Sequence, residues 1–125
     1  MILIQNILKE LERPDDQGRD WYGWATNQMS HGLLGAACVG VVTAWLSPLI
    51  AFGIVLALAA IKEGYDLAKQ GRLKDSLQDV SFQGLGGLLA VALLAQDTTA
   101  VITIVVIFIL GLLGGVIPRA RRAFS

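Results

Sequence analysis

The chain has 125 residues, of which 54% are hydrophobic and 16% are charged, and its ten basic and ten acidic residues give a formal net charge of zero. A mean hydropathy of +0.61 is too high for an ordinary water-soluble domain of this length, because so many apolar residues need lipid or a large core to cover them. Bases interleaved with acids argue against nucleic-acid binding, and the single cysteine, Cys38, excludes a disulfide framework or a thiolate metal site.

The N-terminal stretch "MILIQNILKELER" spaces its apolar residues around one helical face. A signal peptide would instead carry one continuous apolar run. We therefore interpret residues 1–26 as an amphipathic segment whose helix lies in the membrane interface. A helix packed against the protein's own cytoplasmic surface would have the same pattern, and the sequence favours neither alternative.

Four apolar runs follow, at residues 29–46, 48–61, 80–94 and 98–118. The first contains one ionisable residue, His31, and the other three contain none. Because a helix needs roughly 20 residues to cross the hydrocarbon of a bilayer, the shorter runs must extend into polar neighbours. We predict an all-α polytopic membrane protein, with a four-transmembrane-helix bundle in residues 27–118 and a basic cytoplasmic tail in residues 119–125. Glycines in three of the runs favour close helix contacts, although Gly111 and Gly115 have the spacing of a homo-oligomer contact.

The positions of the basic residues predict the orientation. Four spans place the N-terminus, the connection around residues 64–79 and the C-terminus on one side, and all ten Lys and Arg residues lie in or beside these segments. An excess of bases in short loops marks the cytoplasmic side of a membrane protein. We therefore expect a multi-pass protein of the cell's inner (plasma) membrane with both termini in the cytoplasm.

The stretch "IKEGYDLAKQGRLKDSLQDV", at residues 61–80, gathers charge between two apolar runs. The second helix must continue through Glu63 and Asp66 to reach a membrane-spanning length, and Lys62 can pair with Asp66 four residues away. The third helix is expected to start near Asp79, with Gln83 one turn deeper on the same face. Two helices thus bring polar pairs to the cytoplasmic end of the bundle.

His31 adds a third helix to this polar centre, with Asn27 one turn earlier on the same face. Ionisable groups at membrane depth turn inward and find partners. A histidine with carboxylates could bind a divalent metal, act as acid and base, or join the helices through hydrogen bonds alone. Polar helix ends and topology signals would also explain any one of these residues. No cofactor is indicated. The candidate binding residues are His31, Glu63, Asp66, Arg72, Asp79 and Gln83.

The succession of "NQMSHGLLGAA", "KEGYD" and "GRLKDSLQDVSFQGLGGLLA" resembles the VanZ-like membrane proteins and the related YfiM-like group over roughly residues 27–90. The residues that match the family's pattern are His31, Glu63, Arg72, Asp79, Gly84 and Gly87. Asn27 and Gln28 stand where the family has Asp and Lys, which removes an ionisable pair, and Gln83 stands near an expected Asn. The resemblance implies a cell-envelope protein associated with altered susceptibility to glycopeptide antibiotics.

The first functional hypothesis is a VanZ-like protein whose cytoplasmic-side polar pocket binds a phosphorylated lipid or envelope intermediate. Arg72, Lys69 and Lys74 would meet the phosphate, and His31, Glu63 and Asp79 would shape the site. Membrane lipids would be the partners of the protein. The alternatives are a phage-type holin or virion membrane protein, and a structural subunit of a larger membrane complex or homo-oligomer. No nucleophile elbow, P-loop, HExxH or nucleotide fingerprint marks an enzyme, although the sequence does not exclude one.

Overall fold

The computed structural model describes residue 5, residues 18–69 and residues 71–125. These residues fold into α-helices joined by short connections, so the all-helical prediction is confirmed for them. The helices are α1 (Trp21–Val42), α2 (Pro48–Ala68), α3 (Leu73–Leu94) and α4 (Thr98–Phe124). Of the amphipathic segment predicted for residues 1–26, residues 1–4 and 6–17 lie outside the described residues, and residues 21–26 form the first turns of α1.

Local signals fix where the helices begin. The Asp20 carboxylate accepts a hydrogen bond from the Gly23 backbone N–H at 2.8 Å, and Asp97 accepts one from Ala100 at 3.0 Å, so these two acids cap α1 and α4. Pro48 occupies the first turn of α2, where its missing N–H would have had no helical partner. The helix ends are therefore encoded by side chains next to them.

Two helices have bounds that bear on the predicted polar centre. α2 continues to Ala68, which confirms that it includes Glu63 and Asp66. The predicted start of the third helix near Asp79 is wrong, because α3 begins at Leu73. The prediction followed the uninterrupted apolar run, whereas residues 73–79 include four good helix formers, Leu73, Lys74, Leu77 and Gln78, and an acid, Asp75, in the first turn. Residues 73–78 of α3 therefore precede Asp79 and include the charged residues Lys74 and Asp75.

α4 continues past the end of the predicted span at Pro118 and includes most of the segment predicted as a basic tail. It ends at Phe124, with Arg121 and Arg122 in its last turn. Basic residues at a helix C-terminus interact favourably with the exposed carbonyl groups there. Residues 119–124 are thus a helical extension of the fourth helix.

Contacts between the helices define their directions. Trp24 near the start of α1 donates from Nε1 to Gln78 Oε1 near the start of α3, at 3.3 Å, so α1 and α3 run in parallel. Trp24 also contacts Gly115 near the end of α4, which makes α4 antiparallel to α1. The start of α2 packs against the C-terminal halves of α1 and α3 in an apolar core. The buried members of that core are Val39, Ala51, Val55 and Ala90.

Glycines allow α1 and α3 to approach each other at backbone distance. Gly35 faces the Gln83 carbonyl group, and Gly86 faces the Gly32 carbonyl group across the same interface. A side chain at either position would occupy the space of the opposing backbone. The close helix contacts predicted from glycine are therefore made within this chain, whereas Gly40 and Gly114 have open space beside them.

Three of the described helices, α2, α3 and α4, are long and apolar enough to cross a membrane. α1 has 22 residues, as many as α3, but its first half carries Asn27, Gln28 and His31, which lower its hydropathy. The chain therefore has the character of a membrane protein. α1 is also the helix that packs most extensively against α3.

Candidate functional site

A group of polar side chains joins α1 to α3 inside the bundle. Gln28 donates from Nε2 to Asp79 Oδ1 at 2.9 Å, and Asn27 donates from Nδ2 to the same oxygen at 3.5 Å. The other oxygen, Asp79 Oδ2, lies 3.4 Å from His31 Nε2. These four residues, Asn27, Gln28, His31 and Asp79, are called the polar cluster below. One carboxylate of α3 thus meets three neighbouring side chains of α1.

The polar cluster is largely shielded from solvent. Gln28 is 1% exposed, and the side chains of His31 and Asp79 are 15% and 18% exposed. Residues three and four apart on a helix share a face, so the spacing of residues 27, 28 and 31 turns all three toward α3. Two buried atoms, Gln28 Oε1 and His31 Nδ1, have no hydrogen-bond partner among the residues that the structure describes. Buried polar atoms normally have one, so these two atoms need an explanation.

A second group of charges lies on α2. Lys62 Nζ is 2.7 Å from Glu63 Oε1 and 2.8 Å from Asp66 Oδ2, which confirms the predicted pairing of Lys62 with Asp66. Glu63 is buried, whereas the Lys62 side chain is exposed and reaches over it. His31 interacts electrostatically with both Glu63 and Lys62. The α2 charges therefore border the polar cluster.

Arg119 and Trp24 form a contact that the sequence did not reveal. Arg119 is only 9% exposed, its guanidinium lies 4.3 Å from the centre of the Trp24 ring, and its Nη1 donates to the Gly115 carbonyl oxygen at 3.0 Å. A cation over an aromatic face is attracted by the ring quadrupole. Trp24 in turn stacks edge-on against Phe82 and hydrogen-bonds Gln78. The one sequence feature that indicates this contact is Gly115, one turn before Arg119. Because Gly115 has no side chain, the indole ring of Trp24 fits against α4 at this position.

The remaining predicted site residues occupy different positions. Gln83 is buried on α3 one turn after Asp79, and its backbone carbonyl group is the one that faces Gly35. Arg72 is exposed at the residue before α3. The structure thus brings together His31 with Asp79, and Glu63 with Asp66 through Lys62, but it places Arg72 at the surface. Among residues 18–69 and 71–125, no three His, Cys, Asp or Glu side chains are placed to hold a metal ion.

The basic residues gather at one end of the bundle, which consists of the starts of α1 and α3 and the ends of α2 and α4. This is called the basic end below. Of the ten bases in the sequence, those at positions 9 and 13 lie outside the described residues. The other eight are all at the basic end: Arg19, Lys62, Lys69, Arg72, Lys74, Arg119, Arg121 and Arg122. The sequence of the connections at the opposite end, residues 43–47 and 95–97, contains no base.

An open groove of about 370 Å³ begins at the basic end and follows α3. Its lining residues are Leu73, Lys74, Leu77, Gln78, Ser81 and Phe82. A second cavity of about 260 Å³ lies between α1, α3 and α4 and is lined mainly by apolar side chains, including Met29, Leu89 and Phe108. Neither cavity is lined by His31, Glu63 or Asp79. The side chains of the polar cluster contact one another within the bundle, and the groove lies apart from them on the surface of α3.

Comparison of the chain with protein-family models, with curated proteins and with solved structures finds no match. The resemblance to VanZ-like and YfiM-like proteins therefore stays a prediction from the residues themselves.

Proposed function

We propose that this chain is a four-span inner-membrane protein that binds a phosphorylated lipid at its cytoplasmic, basic end. The fourth crossing is α1. Its 22 residues lie alongside α3, with contacts from Trp24 at one end to Val39 at the other. If α3 crosses the bilayer, a parallel helix of equal length packed on it crosses as well. The polar cluster is then an intramembrane contact, turned inward as such contacts must be.

The charge distribution supports a cytoplasmic location for the basic end. Eight described bases lie there, and the connections at the other end have none in their sequence. Such asymmetry directs the basic side to the cytoplasm during insertion. It also attracts anionic headgroups, at about 1 kcal/mol for each base near the membrane surface.

The observation that carries the proposal is the groove along α3. Lys74 lies at its basic end, and Gln78 and Ser81 follow at helical spacing on the same face. Leu73 and Leu77 are exposed beside them, so the groove opens on the surface that lipid would cover. An anionic phospholipid matches this order, with its phosphate near Lys74 and an acyl chain along the leucines. The volume of about 370 Å³ lies within the range of about 300–1,000 Å³ typical of small-molecule sites.

The neighbouring helices hold the groove in shape. Gln78 accepts from Trp24, and Phe82 packs edge-on against both Trp24 and Phe108. Arg119 lies over the Trp24 ring, with its guanidinium 4.3 Å from the ring centre. The polar cluster fixes α1 beside α3 and so keeps Trp24 in place. The resemblance to VanZ-like proteins favours an envelope lipid as the natural ligand.

The test is native mass spectrometry of the detergent-purified full chain, titrated with phosphatidylglycerol or with phosphatidylcholine. We expect retention of phosphatidylglycerol in preference to phosphatidylcholine. Lys74→Gln should weaken phosphatidylglycerol binding roughly five-fold, which corresponds to the loss of about 1 kcal/mol. Ser81→Trp fills the groove without changing the charge and should abolish the preference.

The matched control is Arg121→Gln, which removes a base from the same end but does not line the groove. We expect it to change phosphatidylglycerol binding less than Lys74→Gln does. Equal losses of phosphatidylglycerol binding in Lys74→Gln and Arg121→Gln, together with normal binding by Ser81→Trp, would contradict the proposal. The lipid would then be attracted by the basic surface in general and would not bind in the groove.

A further inference from the structure

The two unpartnered atoms of the polar cluster belong to neighbouring side chains. Gln28 Oε1 can only accept a hydrogen bond, because the amide nitrogen of Gln28 is already directed at the carboxylate of Asp79. His31 Nδ1 lies three residues further along the same helix and also has no partner. In a neutral ring that donates from Nε2 to Asp79, Nδ1 is an acceptor too. Two buried acceptors on neighbouring side chains of α1 would then be left without a donor among the described residues.

A second proton on the imidazole removes this conflict. We propose that the polar cluster is a proton-binding site, in which a proton on His31 Nδ1 is donated to Gln28 Oε1. Gln28 Nε2 already donates to Asp79 Oδ1, and His31 Nε2 lies 3.4 Å from Asp79 Oδ2. A hydrogen bond from His31 Nδ1 to Gln28 Oε1, formed only when the proton is bound, would then close a ring. The proton comes from water at the basic end and returns to it, and no other bond forms or breaks.

The charges around His31 are consistent with this site. Asp79 on α3 and Glu63 on α2 face it, and Lys62 on α2 is shared between Glu63 and Asp66. α4 contributes Phe108, which packs against Gly32 next to His31. Two carboxyl groups and one ammonium group therefore act on His31, and an imidazolium ring offsets the remaining negative charge.

Proton binding here would strengthen the attachment of α1 to α3. The imidazolium ring forms an ion pair with Asp79 and holds Gln28, so one proton ties together three of the four members of the polar cluster. Loss of the proton would leave a neutral His31 ring that still donates from Nε2 to Asp79, but it would remove the ion pair and the link from Nδ1 to Gln28. The site is thus a proton-controlled contact between two helices, formed by residues that do not line the lipid-binding groove.

The experiment uses the single histidine of the chain, whose ring signals need no assignment. Protein labelled with ¹⁵N-histidine is reconstituted in nanodiscs and its ring nitrogens are observed at pH 7.5. An ordinary exposed histidine, with a pKa near 6.5, would be about nine-tenths neutral at this pH. We expect two similar protonated nitrogen signals, which identify the imidazolium form. A wild-type spectrum with one protonated and one bare nitrogen overturns the proposal without any variant.

Variants of two acids on α3 test whether the polar cluster holds the proton on His31. Asp79→Asn should convert His31 to the neutral ring, because it removes the carboxylate that pairs with Nε2. Asp75→Asn makes the same change one turn earlier on α3 and should leave the imidazolium signals unchanged. An imidazolium spectrum that persists in Asp79→Asn would show that the ring of hydrogen bonds does not hold the proton.

Discussion

Gly35→Ala tests how closely α1 and α3 are packed. A Cβ atom at this position would overlap the carbonyl oxygen of Gln83 and would lie 3.1 Å from the backbone nitrogen of Gly87. Both are backbone atoms inside α3, so neither can rotate aside as a side chain would. The helices must separate to admit the methyl group, and the hydrogen bond from Gln28 to Asp79 lies one to two turns away along the same interface.

The expected loss of stability can be estimated from two opposing effects. Overpacking a tight interface costs about 1–3 kcal/mol, and the upper part of the range applies because the obstacle is backbone. Alanine is favoured over glycine within a helix by roughly 0.8–1.0 kcal/mol. We therefore expect Gly35→Ala to lower the free energy of unfolding by about 2 kcal/mol.

Gly40→Ala is the matched control, because it lies on the same helix with open space beside it. It should be neutral or stabilise the fold by up to about 1 kcal/mol. Equilibrium unfolding of both variants in mixed micelles, with the added fraction of denaturing detergent as the variable, measures the difference. If Gly35→Ala were as stable as Gly40→Ala, the close approach of α1 and α3 would be wrong.

Three further predictions concern the polar cluster, the contact of Arg119 with Trp24, and the orientation in the membrane. Asp79→Ala should lower the free energy of unfolding by about 3 kcal/mol, because it leaves buried donors on α1 unpaired. The control Asp75→Ala should change the free energy of unfolding by less than about 1 kcal/mol. The same detergent unfolding experiment measures both variants. Arg119→Gln removes the cation over Trp24. We expect a change in tryptophan fluorescence and a decrease of about 1 kcal/mol in the free energy of unfolding. An unchanged fluorescence spectrum would contradict the contact. A reporter that is active only in the cytoplasm, fused after Ser125, should be active, and a silent fusion would contradict the orientation.

The sequence was sufficient to predict features that depend on one helix at a time. The extension of α2 through Glu63 and Asp66 followed from the length needed to cross a bilayer, and the pairing of Lys62 with Asp66 followed from helical spacing. The juxtaposition of His31 with Asp79 was also expected, because ionisable groups at membrane depth turn inward. Whether any of these residues binds a ligand stays a prediction.

Features that depend on how helices are rotated against one another were missed. Gln28 was read as a departure from a family pattern, yet it is the most buried side chain of the polar cluster, because α1 turns that face toward α3. The sequence predicts Arg119 in a basic cytoplasmic tail, but α4 continues past Pro118 and places Arg119 over Trp24. Neither result can be obtained from periodicity, since both are set by glycines that decide which helix faces approach each other.

Photo-crosslinking tests the central claim most directly. The full chain in bilayers would be exposed to phosphatidylglycerol with a photoreactive acyl chain, and the labelled peptides would be mapped by mass spectrometry. We predict that label concentrates between Leu73 and Phe82, the residues that line the groove, and that it is lost from this segment in Ser81→Trp. An even distribution of label over the exposed apolar residues of α4, such as Ile102 and Leu110, would contradict a specific lipid site on α3.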